Sequence, residues 1–211
     1  MVFQSPNPRH RWAFTLVELL VVIAIIAVLM GLLFPAVGAA MRAAKKTQAK
    51  NDAIQISSAI RAYYAEYGKF PNDIAGSNGE VTALGDLYKI LRAKKGDSVV
   101  DGAQGQNRRL IPFLEGKEAK PAGNASTATP PPNGAPKGGF TSNNLYVDPW
   151  GQPYGIVIDS NYDNELLKAG FPSPINNLVP TDGLRTPVAV WSLGDPTDSK
   201  NAQLRSVVSW Q

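Results

Sequence analysis

Residues 9–37 read RHRWAFTLVELLVVIAIIAVLMGLLFPAV, and the fold turns on how this stretch is understood. A basic patch of Arg9, His10 and Arg11 comes first. An apolar run from Leu19 to Phe34 follows, in which Gly31 is the only non-hydrophobic residue, and a single carboxylate, Glu18, stands just before it. As an α-helix, residues 14–37 would extend about 36 Å at roughly 1.5 Å per residue, more than the hydrocarbon thickness of about 30 Å. The stretch reads as a membrane span with a charge inside it. A secretory signal shares the basic start, but its apolar core is about 7 to 15 residues long and ends in small residues at a cleavage site. Here the run is longer and continues into a helix-forming stretch rich in Ala, Lys and Gln. Arg9 and Arg11 predict a cytoplasmic N-terminal side, with everything after the span facing the other way.

Glu18 needs a reason. A carboxylate at the centre of a membrane helix costs about 2.5–3.5 kcal/mol on insertion scales, and less near an interface. Two readings stand. Either Glu18 lies close enough to the headgroups to reach water, or a cationic partner neutralises it inside a helix assembly. A cut between Ala13 and Phe14 would create an α-amino group one helical turn from Glu18. On a neighbouring, axially staggered copy, that amine could meet the carboxylate and set the stagger.

The order F-T-L-V-E-L-L-V-V-I-A-I-I-A-V-L resembles the prepilin N-terminal motif of type IV pilins and type II secretion pseudopilins. Phe14 matches the first residue of the mature protein, Glu18 its acidic fifth position, and Pro35 the proline that interrupts the N-terminal helix in many members. Ala13 stands where the family usually has Gly. The resemblance implies that a membrane-embedded prepilin peptidase of the aspartic class removes residues 1–13. It also implies methylation of the Phe14 amine, which keeps its charge available to Glu18.

The chain has 211 residues, enough for one medium domain plus the span, and no cysteine, so no disulfide supports an exported part. Its formal charge is +4 from 21 basic and 17 acidic residues; without Arg9 and Arg11 it is +2, from 19 minus 17. That balance, with no dense Lys/Arg face, predicts no nucleic-acid partner. The only histidine is His10, in the leader. The remainder lacks His and Cys, which excludes Ser-His-Asp and Cys-His triads and zinc sites built from those ligands. With no recognisable nucleophile motif, the chain is not expected to be an enzyme.

Past the span, Gly31, Pro35 and Gly38 make the weak part of the helix, where a bend is expected because proline removes one backbone hydrogen bond and clashes with the carbonyl four residues back. The helix then resumes through Met41 to Tyr67. Ala49, Ala53, Ile56, Ile60, Tyr63 and Tyr67 recur at steps of four and three and form one stripe, expected to pack on the globular part. Gly68, Lys69 and Pro71 end it. A shorter helix is expected over residues 82–95, with Leu84, Leu87, Ile90 and Leu91 on one side. Residues 107–115 (NRRLIPFLE) read as a short extended segment tucking Leu110, Ile111 and Phe113 into a core. Residues 116–139 are almost all Pro, Gly, Ala, Ser, Thr, Asn and Lys and read as a surface loop, in which the Asn124-Ala125-Ser126 sequon is put down to composition.

Structure is expected to return at Tyr146. VDPWGQPYGIVID holds a turn and then a strand over residues 154–159, and residues 187–193 (PVAVWSL) and 205–210 (RSVVSW) read as two more strands. The fold class is therefore α+β: a long N-terminal transmembrane and amphipathic helix packed on a small antiparallel β-sheet. The expected divisions are a leader at 1–13, an assembly helix at 14–38, its amphipathic continuation at 39–70, a variable region at 71–145 and the sheet region at 146–211. D-P-W-G-Q-P-Y followed by W-S-L-G resembles the C-terminal half of the major pseudopilin of type II secretion. Trp150 and Trp191 read as packing aromatics rather than ligand platforms.

Two loops carry oxygen-rich side chains. Asp159, Asn161, Asp163 and Glu165 alternate at every second position, a spacing that lets a tight loop converge on a hard cation such as calcium, which takes six to eight oxygens. The stretch lacks the glycine and distant bidentate Glu of an EF-hand, and a polar turn after a strand supplies Asp and Asn for capping alone. The family resemblance implies calcium in the later loop, residues 194–199, where Asp195 and Asp198 are the candidates and the family's denser Asp/Gly pattern is absent.

Three functions compete. The first is a structural subunit polymerising through its N-terminal helix into a periplasmic pseudopilus. Its implied partners are further copies, other pseudopilins, the prepilin peptidase and an inner-membrane assembly platform, and its implied location is the bacterial inner membrane, single-pass, with the C-terminal domain in the periplasm. A minor pilin of a type IV pilus-like filament is the near alternative; the DPWGQPY and WSLG elements and the absence of a cysteine pair favour secretion. The second is a membrane-tethered calcium- or ligand-binding module that never polymerises. The third, an exported enzyme, has no residue pattern to support it.

Overall fold

The computed structural model describes residues 15–72, 74, 76, 79–102, 105–119, 136–198 and 205–210. The expected leader, the cleavage position Ala13–Phe14, the sequon and most of the 116–139 loop lie outside them. The chain divides into two compact units, Met1–Ala43 and Ala44–Gln211.

One helix, α1, covers Leu16–Tyr67. Around Pro35, where a bend is expected, the helical hydrogen bonding continues without a break. Proline forfeits one hydrogen bond, but its fixed φ is helical and the bonds on either side persist. In the first unit, the large apolar side chains from Leu16 to Met41 are exposed. This is one helix long and apolar enough to cross a membrane.

In the second unit the helix changes character. Ala49, Ala53, Ile56, Ile60 and Tyr63 are each 0% exposed, and Tyr67 packs against the same cluster. The stripe read from a period of 3.6 residues is thus the helical side of the core. Gly68 ends the helix with φ +69°, its N–H reaching the Tyr64 carbonyl at 2.8 Å, a left-handed cap that glycine adopts without a Cβ clash.

Helix α2 covers Leu84–Leu91 and buries Leu87, Tyr88, Ile90 and Leu91. It is shorter than the expected 82–95. Arg92 caps it and Ala93 turns left-handed at φ +53°, which puts Lys94 and Lys95 outside. Residues 107–115 form no strand; Leu114 is buried, while Leu110 and Phe113 only flank the core. Their anchor is Asn107, fully buried. Its amide donates to the carbonyls of Ile90 (2.7 Å) and Ile111 (2.8 Å), and its oxygen accepts from the Tyr67 hydroxyl at 2.7 Å.

Five short strands follow among the described residues: β1 Gly139–Phe140, β2 Tyr146–Val147, β3 Gly155–Ile158, β4 Val188–Ser192 and β5 Val207–Val208. β1 and β2 pair as an antiparallel ribbon that was not foreseen, and β3-β4-β5 form the expected antiparallel sheet, with Ile156 opposite Val190 and Trp191 opposite Val208. Ile156, Ile158, Val188 and Val190 join the cluster built on α1 and α2. The alternate residues Val157, Ala189, Trp191 and Val208 form a second cluster with Leu166, Phe171, Ile175, Val179 and Leu184. The sheet is therefore covered on both faces, and the runs GIVI and VAVWS are unbroken apolar stretches for that reason.

Candidate functional site

At its N-terminus α1 carries a reciprocal cap. The Thr15 N–H and hydroxyl both donate to Glu18 Oε2 at 2.8 Å, and the Glu18 N–H donates back to Thr15 Oγ1 at 3.2 Å. T-L-V-E is a capping box, the N-cap threonine and the glutamate three residues on satisfying two of the orphan N–H groups of the first turn. The pattern is legible in the sequence. It passes unread when Glu18 is considered only as a charge. Of the other processing and assembly candidates, Ala13 and Phe14 lie outside the described residues, and Pro35 sits within α1.

The D-P-W-G turn is built on Asp148, which is 0% exposed. Its Oδ1 accepts the N–H groups of Trp150 and Gln152, each at 2.9 Å, and its Oδ2 accepts the Ser192 hydroxyl at 2.5 Å. The Ser192 oxygen in turn accepts the Gly194 N–H at 2.9 Å. The two C-terminal motifs, DPWGQPY and WSLG, are thus joined side chain to side chain. Burial pushes the Asp148 carboxyl above its ordinary range, opposed by the Ser192 hydroxyl and by the N–H groups of Gln152, Trp150 and Gly151.

A second buried carboxylate links α1 to the strands. Asp52 is 8% exposed and accepts the hydroxyls of Tyr154 (3.1 Å) and Tyr146 (3.3 Å). It edges an open groove of about 640 Å³ between α1 and the chain around Gly116, lined also by Gln48, Asn51, Gln55 and Lys117. Desolvation pushes Asp52 up, against the two tyrosine hydroxyls, the Lys117 charge and Gln48. Tyr146 is raised to about 12 by burial and the Asp52 charge, and Tyr154 is raised further by the same causes. A carboxyl raised in the folded state binds protons more readily than in the unfolded chain. Its stabilising contribution is whole below the ordinary value of 3.8 and is lost as pH rises through the higher folded value. Asp52→Asn should therefore flatten the fall in melting temperature between acid and neutral pH, as read by circular dichroism across a pH series; an unchanged slope would remove Asp52 from the account.

The first candidate calcium loop is folded by its own backbone. Asp159 accepts the N–H of Tyr162 (2.8 Å) on Oδ1 and of Asn164 (2.6 Å) on Oδ2. Asp163 accepts the Glu165 N–H (2.9 Å) and the Asn161 amide (2.7 Å). Tyr162 and Asn164 both lie at positive φ, +63° and +62°. Tyr162 stacks on Phe70 (5.6 Å, 18°), which stacks on Tyr64 of α1 (4.8 Å, 25°). The alternating Asp and Asn side chains shape a turn that clips onto the end of the long helix. In the second loop, Asp195 accepts the hydroxyl and N–H of Thr197 at 2.7 and 2.9 Å. Partial desolvation pushes Asp195 up, but Thr197 and the Lys45 charge hold its carboxyl below the ordinary range. Among the described residues, no group of three or more His, Cys, Asp or Glu side chains is placed to hold a metal ion.

Compared with protein-family models, with curated proteins and with solved structures, the chain matches none of them.

Proposed function

We propose that the chain is a pilin-like structural subunit, a pseudopilin of type II secretion, anchored by one span and polymerising through its N-terminal helix after removal of residues 1–13. The observation that carries this reading is the two-part character of α1. Its first half exposes Val, Leu and Ile all round, with nothing among the described residues of its own unit to cover them, and its second half is the inner wall of a folded α+β unit. A lone anchor needs the first half only to be apolar. Here it also carries Glu18 inside F-T-L-V-E-L-L, the pattern shared with prepilins. The Asp148–Ser192 bond adds support by joining the two C-terminal elements on which the secretion branch rests. In this reading the second unit faces the periplasm and the filament partners are further copies and related pseudopilins.

Intact-mass and N-terminal analysis of the chain recovered from the membrane of its native cells tests the processing step. A chain beginning at methylated Phe14 is expected. One retaining residues 1–13, or cut near residues 36–40, would remove the filament reading and leave a tethered or secreted module.

A further inference from the structure

The family resemblance implies calcium in the loop after W-S-L-G, and among the described residues the donors of that loop do not fit one. The Asp195 carboxylate is engaged by Thr197. The backbone carbonyl oxygens of Asp195, Pro196 and Asp198 turn instead toward one nitrogen, Nη1 of Arg205, at 3.4, 3.5 and 3.4 Å. A calcium site would need six to eight oxygens at about 2.3–2.6 Å around a common centre. A guanidinium already lies against these carbonyls, and its charge would repel a divalent ion brought to the same oxygens.

We infer that Arg205 is the resident cation of this loop: its guanidinium, tethered just before β5, gathers the carbonyl dipoles of residues 195, 196 and 198 and holds the loop without metal. The three contacts are longer than a good N–H···O bond of about 2.7–3.2 Å, so they act as one charge facing three dipoles rather than as three strong bonds. Arginine suits the task because it stays charged and is more weakly hydrated than an ammonium. Its position is set from both sides. Gly194, at φ +73°, lets its backbone lie directly against the Arg205 carbonyl, where any Cβ would collide. The Arg205 Nε is buried with no acceptor among the described residues, while the residue as a whole is half-buried, so the inner edge of the guanidinium faces the loop. This role concerns the loop alone and is independent of whether the chain polymerises.

The test is thermal unfolding of the purified full chain in detergent, first with EDTA and then with millimolar calcium chloride. The wild-type midpoints are expected to agree within about 1 °C, whereas an ion bound at a hundred times its Kd would raise the midpoint by several degrees. Arg205→Met keeps an apolar stem and removes the charge; its midpoint is expected to fall by roughly 5 °C. A calcium-dependent rise in the wild type would overturn the assignment, as would an Arg205→Met chain that melts with the wild type. Should Arg205→Met not fold, the wild-type comparison with and without calcium decides by itself.

Discussion

Glu18→Gln is expected to abolish filament assembly as completely as Glu18→Ala, while both chains keep a folded second unit. The pair of substitutions separates the cap that Glu18 makes with Thr15 from the assembly role proposed for the same side chain. As the third residue of the capping box, Glu18 closes the first turn of α1 with Thr15, and glutamine serves that position as well as glutamate. As a charge, it is the partner proposed for the Phe14 amine of a neighbouring copy, and glutamine cannot fill that role. Alanine loses both. Loss of the cap frays the start of the helix locally. Loss of the proposed charge partner within lipid would leave the Phe14 amine uncompensated there and remove what sets the proposed stagger. The readout is sedimentable or sheared filament from cells expressing each variant, with the membrane-inserted level of the chain as control. Normal assembly of Glu18→Gln beside failure of Glu18→Ala would reduce Glu18 to a helix cap. Normal assembly of both would leave a filament subunit whose stagger does not depend on Glu18.

Much of the fold could be read from periodicity, and what could not be read was long-range and polar. The stripe from Ala49 to Tyr67 was legible because a helix repeats its buried face every 3.6 residues, and Gly68 because only a residue tolerant of positive φ closes that helix cleanly. The three strands of the main sheet were legible as apolar runs, although each is shorter than expected by two to four residues. Their second cover was not, since residues 166–184 reach it through two 3-10 turns, Lys168–Gly170 and Ile175–Leu178, with no helical or strand period. Unbroken runs such as GIVI and VAVWS carried the hint, for a sheet with one wet face would alternate. Asn107 and Asp52 had no local signal at all. Asn107 is bonded to Tyr67, 40 residues away, and Asp52 to Tyr154, 102 residues away; such partners are set by packing, not by spacing. The Asp159–Glu165 loop shows the converse. Its spacing is that of a candidate cation loop, and in the structure the carboxylate oxygens of Asp159 and Asp163 accept backbone N–H groups of the same turn.

Asp148→Ala is expected to be the most damaging single change in the second unit, lowering stability by about 3–5 kcal/mol. The carboxylate is fully buried and is the common acceptor for Trp150 N–H, Gln152 N–H and the Ser192 hydroxyl. Its removal leaves three donors without their acceptor, the Ser192 hydroxyl fully buried and the two N–H groups partly so, at up to about 1–3 kcal/mol each, and frees the turn from the end of β4. For a unit of this size the midpoint should drop by roughly 8–15 °C. Asp148→Asn should cost far less. An amide oxygen can still accept both backbone N–H groups, and only the bond from Ser192 is reversed, leaving its hydroxyl proton without the carboxylate. Ser192→Ala removes the same bond from the other side and should cost about 1–2 kcal/mol. In a double-mutant cycle, Asp148→Ala and Ser192→Ala should couple by about 1 kcal/mol or more, since they share one hydrogen bond. Near-additive losses would mean that the turn and β4 are held together by packing alone. Coupled losses would mean that the D-P-W-G turn and the W-S-L-G strand end stay in register through this one buried bond. The loop gripped by Arg205 begins two residues after Ser192, at Gly194, whose N–H is bonded to the Ser192 oxygen. Asp148→Ala should therefore loosen that loop as well, and hydrogen exchange at the Gly194 and Thr197 amides should quicken before the core of α1 opens.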